Sequence, residues 1–122
     1  VNLIEALNIK YIRLNKDGFE AGMCLTDFHA QPFGYVNGGA ILAFAEITAG
    51  HASNLLEEGR YHAVGQSITG NHMKTKRSVG YLYAKGELLH KGKHSHVWSI
   101  RILDENQRLV SSVTVQNALI KA

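Results

Sequence analysis

The chain has 122 residues, 45% apolar and 19% charged, with a formal net charge of +3. This length suits a single domain spanning residues 1–122, which buries roughly two thirds of its unfolded surface around one core and leaves no room for a second. No apolar run approaches the roughly 20 residues of a membrane span, and the composition is not that of a disordered chain.

The opening VNLIEALNIKYIRLN lacks the basic, apolar and small-residue succession of a signal peptide, so a cytoplasmic location is expected. Asn2 followed by Glu5 predicts a capped short helix through about Leu7. YIRLNKDGFEAGMCLT then places two alternating runs around Asp17-Gly18, a hairpin signal. Cys24, the single cysteine, cannot form an intrachain disulfide and is expected to be a buried structural thiol. From about Gly38 to Glu58 the chain has helix length and helix-favouring residues, with Asn37 at the N-cap position and a stop at Gly59. GGAILAFAEITAGHA is apolar nearly all round, the pattern of a buried helix. The remainder is rich in Val, Ile, Thr, Tyr and Trp, with breaks near Arg77-Ser78, Gly92 and Asp104 to Gln107. It predicts four consecutive strands joined by short turns, hence antiparallel. One helix and about six strands imply an α+β domain, a curved antiparallel sheet packed around the helix.

Within that apolar helix stands one carboxylate, Glu46. An isolated ionised carboxylate in an apolar interior is costly enough that it pairs, becomes neutral or faces a cavity. Its neighbours one and two turns away are mostly small: Gly39, Ala43, Ala49, Gly50 and Ser53, with Leu42. Two readings stand side by side. Glu46 either pairs with a basic residue of the sheet or of another subunit, or it is a general base or nucleophile. In the second reading, backbone N–H groups of Gly38 and Gly39 at the helix start can polarise a carbonyl, although a glycine pair is also an ordinary loop before a helix. Eight residues from Gly38 to Glu46 span about 12 Å of helix, too far for both to touch one reacting carbon. An enzyme built this way would be an obligate dimer with shared sites.

The stretches QPFGYVNGGAILAFAEITAG and GNHMKTKRSVGYLYAKGELLHKGKHSHVWSIRILDENQRLVSSV resemble the hotdog-fold acyl-CoA thioesterases, in particular small bacterial members of the phenylacetyl-CoA and 1,4-dihydroxy-2-naphthoyl-CoA type. The resemblance implies a sheet wrapping a long helix, dimers that pair into tetramers, active sites at the dimer interface, and acyl-CoA as substrate with no separate cofactor. It implies that Glu46 is the catalytic carboxylate, that the Gly38 N–H polarises the thioester carbonyl beside Gly39, and that Gln31 helps position the reacting group. Asn37 stands where the family usually has His, and Gly50 where many members carry Ser or Thr; both departures bear on rate, since Asn cannot titrate near neutral pH. Thr48 does not replace that hydroxyl, because two helical residues point about 200° apart. For coenzyme A, the resemblance points to Lys74 and Lys93 as phosphate partners and to His72, His94 and Ser95 as polar contacts.

The basic residues form two clusters, Lys74 with Lys76 and Arg77, and Lys91 with Lys93, which suits a polyanionic small molecule better than a nucleic acid duplex. His94 and His96 would share a strand face, but no Cys or acid pattern accompanies them and no metal site is expected. Tyr81 and Tyr83 sit at strand spacing and read as packing residues rather than a base-stacking platform, so no nucleic acid partner is expected.

Overall fold

The computed structural model describes all 122 residues. A short helix α1 (Leu3–Ala6) is capped by Asn2, whose side chain accepts a hydrogen bond from the Glu5 N–H at 2.9 Å. Strands β1 (Ile9–Leu14) and β2 (Gly18–Leu25) form the hairpin around Asp17-Gly18, its turn held by Asn15 Oδ1 accepting from both backbone N–H groups. The long helix α2 (Gly38–Glu57) follows, then β3 (Tyr61–His72), β4 (Gly80–Lys91), β5 (Ser95–Leu103) and β6 (Leu109–Lys121). All pairings are antiparallel, and the single sheet has the order β1-β2-β4-β5-β6-β3. One long helix against one antiparallel sheet is the hotdog arrangement.

The strands after α2 are not a simple meander. The breaks at Gly92 and at Asp104 to Gln107 are true hairpins, but β3 pairs with β6 at the far edge, from Tyr61↔Lys121 to His72↔Ser111. Residues 73–79 therefore carry the chain back over the end of the sheet to β4. A direct hairpin needs only a two-residue turn, and this segment is long enough to cross instead.

One face of α2, including Ile41, Phe44, Ala45, Thr48, Ala49 and Ala52, is buried on inward-facing sheet residues such as Phe19, Leu82, Trp98, Ile100 and Val115. The expectation of a helix buried all round is corrected: Gly39, His51, Asn54 and Leu55 are exposed, and Ala43 and Ile47 only half-buried. A single sheet covers one side of a helical cylinder about 10 Å across. Cys24 is half-buried on the outer sheet face, opposite Tyr81, rather than in the core.

The helix lies along β3, and residues four apart on its facing side meet the strand. Gly38 meets His72, Leu42 meets Gly70 and Glu46 meets Gly65. A Cβ on Gly70 would stand 2.6 Å from Leu42 Cδ2, and one on Gly65 would collide with the Glu46 carboxylate. The register shifts between Gly65 and Ser67. Strand side chains alternate between faces, so this extra residue, Gln66, is what returns Gly65 to the face that carries Gly70 and His72.

At its other end α2 is latched by buried polar groups. Glu57 Oε2 accepts from His96 Nε2 at 2.7 Å and lies 3.5 Å from Lys91 Nζ. His96 Nδ1 meets Ser53 Oγ at 2.7 Å, and the same hydroxyl oxygen accepts from Trp98 Nε1 at 2.8 Å and Asn117 Nδ2 at 3.1 Å. Burial opposes ionisation of Glu57, but the His96 hydrogen bond and the Lys91 and His96 charges outweigh it and hold the carboxyl below its ordinary value of 4.5. A carboxyl lowered by folding adds stability above its unfolded value and loses it as pH falls through the folded value. The melting temperature is therefore expected to drop more steeply between about pH 5 and about pH 3 in the unsubstituted protein than in Glu57→Gln, as measured by thermal denaturation at each pH.

Candidate active site

The helix start is set by a loop that two other segments hold in place. Thr26 caps a single 3-10 turn, Asp27–His29, and the buried His29 ring accepts from the Thr26 N–H at 3.1 Å while its Nε2 donates to the Leu7 carbonyl at 2.7 Å. The His29 carbonyl in turn accepts from the Asn37 N–H at 2.7 Å. Gln31 organises the turn ahead of the helix: its Oε1 accepts from the Phe33 and Tyr35 N–H groups, which leaves its amide nitrogen as the uncommitted end. The crossover segment straps this loop from outside. Val36 N–H donates to the Lys76 carbonyl at 2.8 Å, Arg77 Nη1 donates to the Phe33 carbonyl at 3.1 Å, and the Arg77 guanidinium lies 4.7 Å from the Tyr35 ring centroid.

Asn37 is the N-cap, its Oδ1 accepting from the Gly39 N–H at 2.9 Å. The N–H groups of Ala40 and Ile41 both go to the Asn37 carbonyl. Gly39 therefore spends its donor on the cap, and the Gly38 N–H alone in the first turn makes no hydrogen bond within the chain. Free N–H at a helix start is suited to a carbonyl oxygen that becomes negative. His72 Nε2 lies 2.9 Å from the point where a Cβ on Gly38 would sit, and its Nδ1 is held 2.7 Å from Ser111 Oγ. The structure thus places His72 beside the helix start.

Glu46 is half-buried, forms no ion pair and accepts no hydrogen bond within its own chain. Pairing with a basic residue of its own sheet is thereby removed from the two readings of this acid. Glu46 instead lines an open cavity of about 310 Å³ with Gly65, Gly50, Ile47, Tyr11 and His51. Tyr11 and His51 are stacked there, ring centroids 4.0 Å apart, and burial pushes the Tyr11 phenol up from its ordinary value of 10.0. A Cβ on Gly50 would meet nothing within 4 Å. Thr48 Oγ1 donates to the Phe44 and Ala45 carbonyls of its own helix at 2.8 and 3.1 Å, and is buried away from the cavity.

The residues expected to touch coenzyme A lie in two places. His72 and Lys74 are at the sheet end near the start of α2, whereas Lys93, His94 and Ser95 form the β4–β5 turn at the opposite end. Along β6 their paired positions, Ser111 and Ala118, are seven residues apart, about 23 Å. One chain therefore does not bring them together. Nor does the first basic cluster stand free: Lys74 Nζ is 3.5 Å from Asp104 Oδ2, Lys76 Nζ is 3.2 Å from Glu105 Oε1, and Arg77 is committed to the loop. Backbone N–H groups of Arg108 and Asn106 and the Lys74 ammonium hold the Asp104 carboxyl below its ordinary value, against the effect of burial. Lys93 makes no ion pair in the chain.

Comparison with known proteins gives the family. The model of the thioesterase superfamily matches residues 33–111, from the loop before α2 into β6. The chain belongs to the thioesterase superfamily. Among its relatives, the 1,4-dihydroxy-2-naphthoyl-CoA hydrolase of Escherichia coli is 34% identical over 119 residues, 98% of this chain and 87% of the relative. The proofreading thioesterase EntH of Cronobacter turicensis is 37% identical over 106 residues, covering 87% and 77%. The crystal structure of yhdA from Lactococcus lactis superposes with a TM-score of 0.96 at 50% identity, covering 99% of this chain and 98% of that one. Membership of this superfamily makes thioester hydrolysis the class of chemistry.

In this thioesterase the position of the acid depends on Gly65. Its role was not visible as a motif, because the helix that it faces is nineteen positions earlier in the chain. Replacing Gly65 by Ala forces the carboxylate aside by about an ångström; with Glu46 read as the reacting carboxylate, a misplacement of that size costs on the order of 100-fold in rate. Steady-state kinetics on Gly65→Ala should show that loss with the melting temperature nearly unchanged. Conversely, Gly50→Ser fits the open space beside Glu46 and is expected to leave stability within about 0.5 kcal/mol.

Proposed function

We propose that this protein is an acyl-CoA thioesterase, hydrolysing an aromatic or medium-sized acyl-CoA of the 1,4-dihydroxy-2-naphthoyl-CoA kind to the free acid and coenzyme A, without a cofactor. The observation that carries the proposal is Glu46: a half-buried carboxylate with no partner in its chain, set at a cavity floored by a glycine. The Tyr11–His51 stack beside it supports a flat acyl group, since ring faces favour offset stacking.

Hydrolysis needs a donor at the carbonyl oxygen and a base or nucleophile at the carbonyl carbon. The free Gly38 N–H suits the first and Glu46 the second, about 12 Å apart on one helix. A homodimer pairing β3 edges antiparallel brings the start of one α2 toward the middle of the other, and sets the His72–Lys74 end of one subunit against the Lys93–Ser95 turn of its partner. Pairing of two such dimers into a tetramer fits the half-covered helix face. In this arrangement Glu46 either takes a proton from water as it adds to the thioester carbon, or attacks that carbon itself to give an anhydride that water then opens. Either route expels the coenzyme A thiolate, which takes up a proton.

Asn37 and Gly50 favour a second reading, a noncatalytic acyl-CoA-binding protein, because neither supplies the titratable or hydroxyl group usual at its position. A panel of aromatic and aliphatic acyl-CoAs with thiol detection separates the two. Thiol release from at least one of them, reduced roughly 100- to 10,000-fold in Glu46→Gln with the fold intact, is the expected result. Tight binding without thiol release from any member supports the binder, and undiminished turnover in Glu46→Gln removes Glu46 from the reaction.

A further inference from the structure

We infer that Asn117 is a positioning residue for Glu46, joining the active-site acid to the buried latch at the far end of the helix. This rests on the reading of Glu46 as the reacting carboxylate. The placement follows from register. Gly65 on β3 pairs directly with Asn117 on β6, and paired residues of antiparallel strands point to the same face. The Glu46 carboxylate occupies the space where a Gly65 side chain would stand. Side chains directly opposite one another have Cβ atoms about 5 Å apart, so the Asn117 amide and the Glu46 carboxylate are cross-strand neighbours in all but the origin of the acid.

Asn117 is fully buried, and one of its two polar ends is unclaimed. Nδ2 donates to Ser53 Oγ, whereas Oδ1 is buried with no hydrogen-bond partner, alone among the buried side-chain polar atoms of the protein. Leaving a buried amide oxygen without a donor is destabilising, and such a group calls for an explanation. On the other side of Asn117 stands His96, which pairs with it in the sheet and is held by Ser53 and Glu57. The neighbour that remains is Gly65, with the acid above it.

An amide suits a group that changes protonation during turnover, because it accepts at one end and donates at the other. Oδ1 accepts from the protonated form of Glu46. When that proton leaves, Nδ2 keeps its bond to Ser53 Oγ and Oδ1 is again without a donor, the arrangement seen here. The titratable groups around the pair are His51 on α2 and Tyr11 on β1 at the cavity, and His96 on β5, Glu57 on α2 and Lys91 on β4 beyond Asn117.

The test replaces Asn117 by Asp, which sets a second carboxyl beside Glu46. Like charges that close raise the value at which the acid ionises by about a unit or more, so the acid limb of the kcat/KM profile should move to higher pH by that amount, with KM little changed and His51→Gln as the control for the cavity histidine. A folded Asn117→Asp enzyme with an unmoved acid limb overturns the proposal. Should the variant not fold, the unsubstituted protein gives the answer. The Asn117 side-chain amide resonances, followed by nitrogen-15 NMR, should titrate with Glu46 and lose that titration in Glu46→Gln. Amide resonances that do not respond to Glu46 also overturn it. The NMR readout needs no turnover, so a protein that binds acyl-CoA without hydrolysing it would fail the proposed function and still decide this contact.

Discussion

The close approach of α2 to β3 is the constraint from which the rest of the site follows. A helix normally stands off a sheet by the length of the side chains between them, about 10 Å between layers. Here the sheet side of that space is empty at Gly65 and Gly70, so the side chains of Glu46 and Leu42 lie directly on the strand backbone. The bulge at Gln66 makes the geometry work, since without it Gly65 would turn outward and a side chain would turn in. Thus a carboxylate is held in an apolar layer without being tied up by a salt bridge. A paired acid would be comfortable but chemically spent; an acid against bare backbone keeps its lone pairs for another molecule.

The opposite end of the helix carries the compensating order. Glu57, His96, Ser53, Trp98 and Asn117 form a buried polar cluster, and such clusters contribute little net stability compared with apolar packing of the same volume. What hydrogen bonds of fixed length do supply is register. The helix is rich in Ala and Gly, which make contacts that tolerate sliding, whereas the Ser53 hydroxyl meets three partners in one position only. A slip of α2 along the sheet would break all three. The same latch thereby fixes how far along β3 the Glu46 side chain comes down.

Patterns that complete themselves within a few residues were legible in the sequence. The Asn2 and Asn37 caps, the Asp17-Gly18 hairpin, the extent of α2 and the isolated acid in it all depend on near neighbours, and all are present as read. Pairings between distant segments were not. Nothing local distinguishes a β3 that continues into β4 from one that crosses to β6, because both choices use antiparallel strands of similar composition. The apolar circumference of α2 suggested burial all round, yet a single sheet covers only one side. Lys74 and Lys76 looked free because Asp104 and Asp104's neighbour Glu105 lie about thirty positions later. His29 and Arg77, which fix the loop before the helix, gave no signal beyond their identity. For His96 the shared strand face with His94 was visible, but its partners, Ser53 and Glu57, come from the helix.

Two unfinished surfaces lie on the same side of the molecule. β3 is an edge strand whose outer backbone groups have no strand to pair with, and on the α2 face beside it Ala43, Ile47 and Gly50 surround the unpaired Glu46. Proteins protect long edges with charged residues, prolines, bulges or a covering element. β3 has a bulge, but from Tyr61 to His72 it carries no Lys, Asp, Glu or Pro, so its composition does not resist pairing. A twofold partner added along this edge would run antiparallel to it and would necessarily reverse the direction of the second helix. In the dimer proposed above, that reversal would carry one subunit's free Gly38 N–H toward the other's unpaired Glu46. On that proposal, the features that leave the single chain open as a surface are the same ones that a shared site requires.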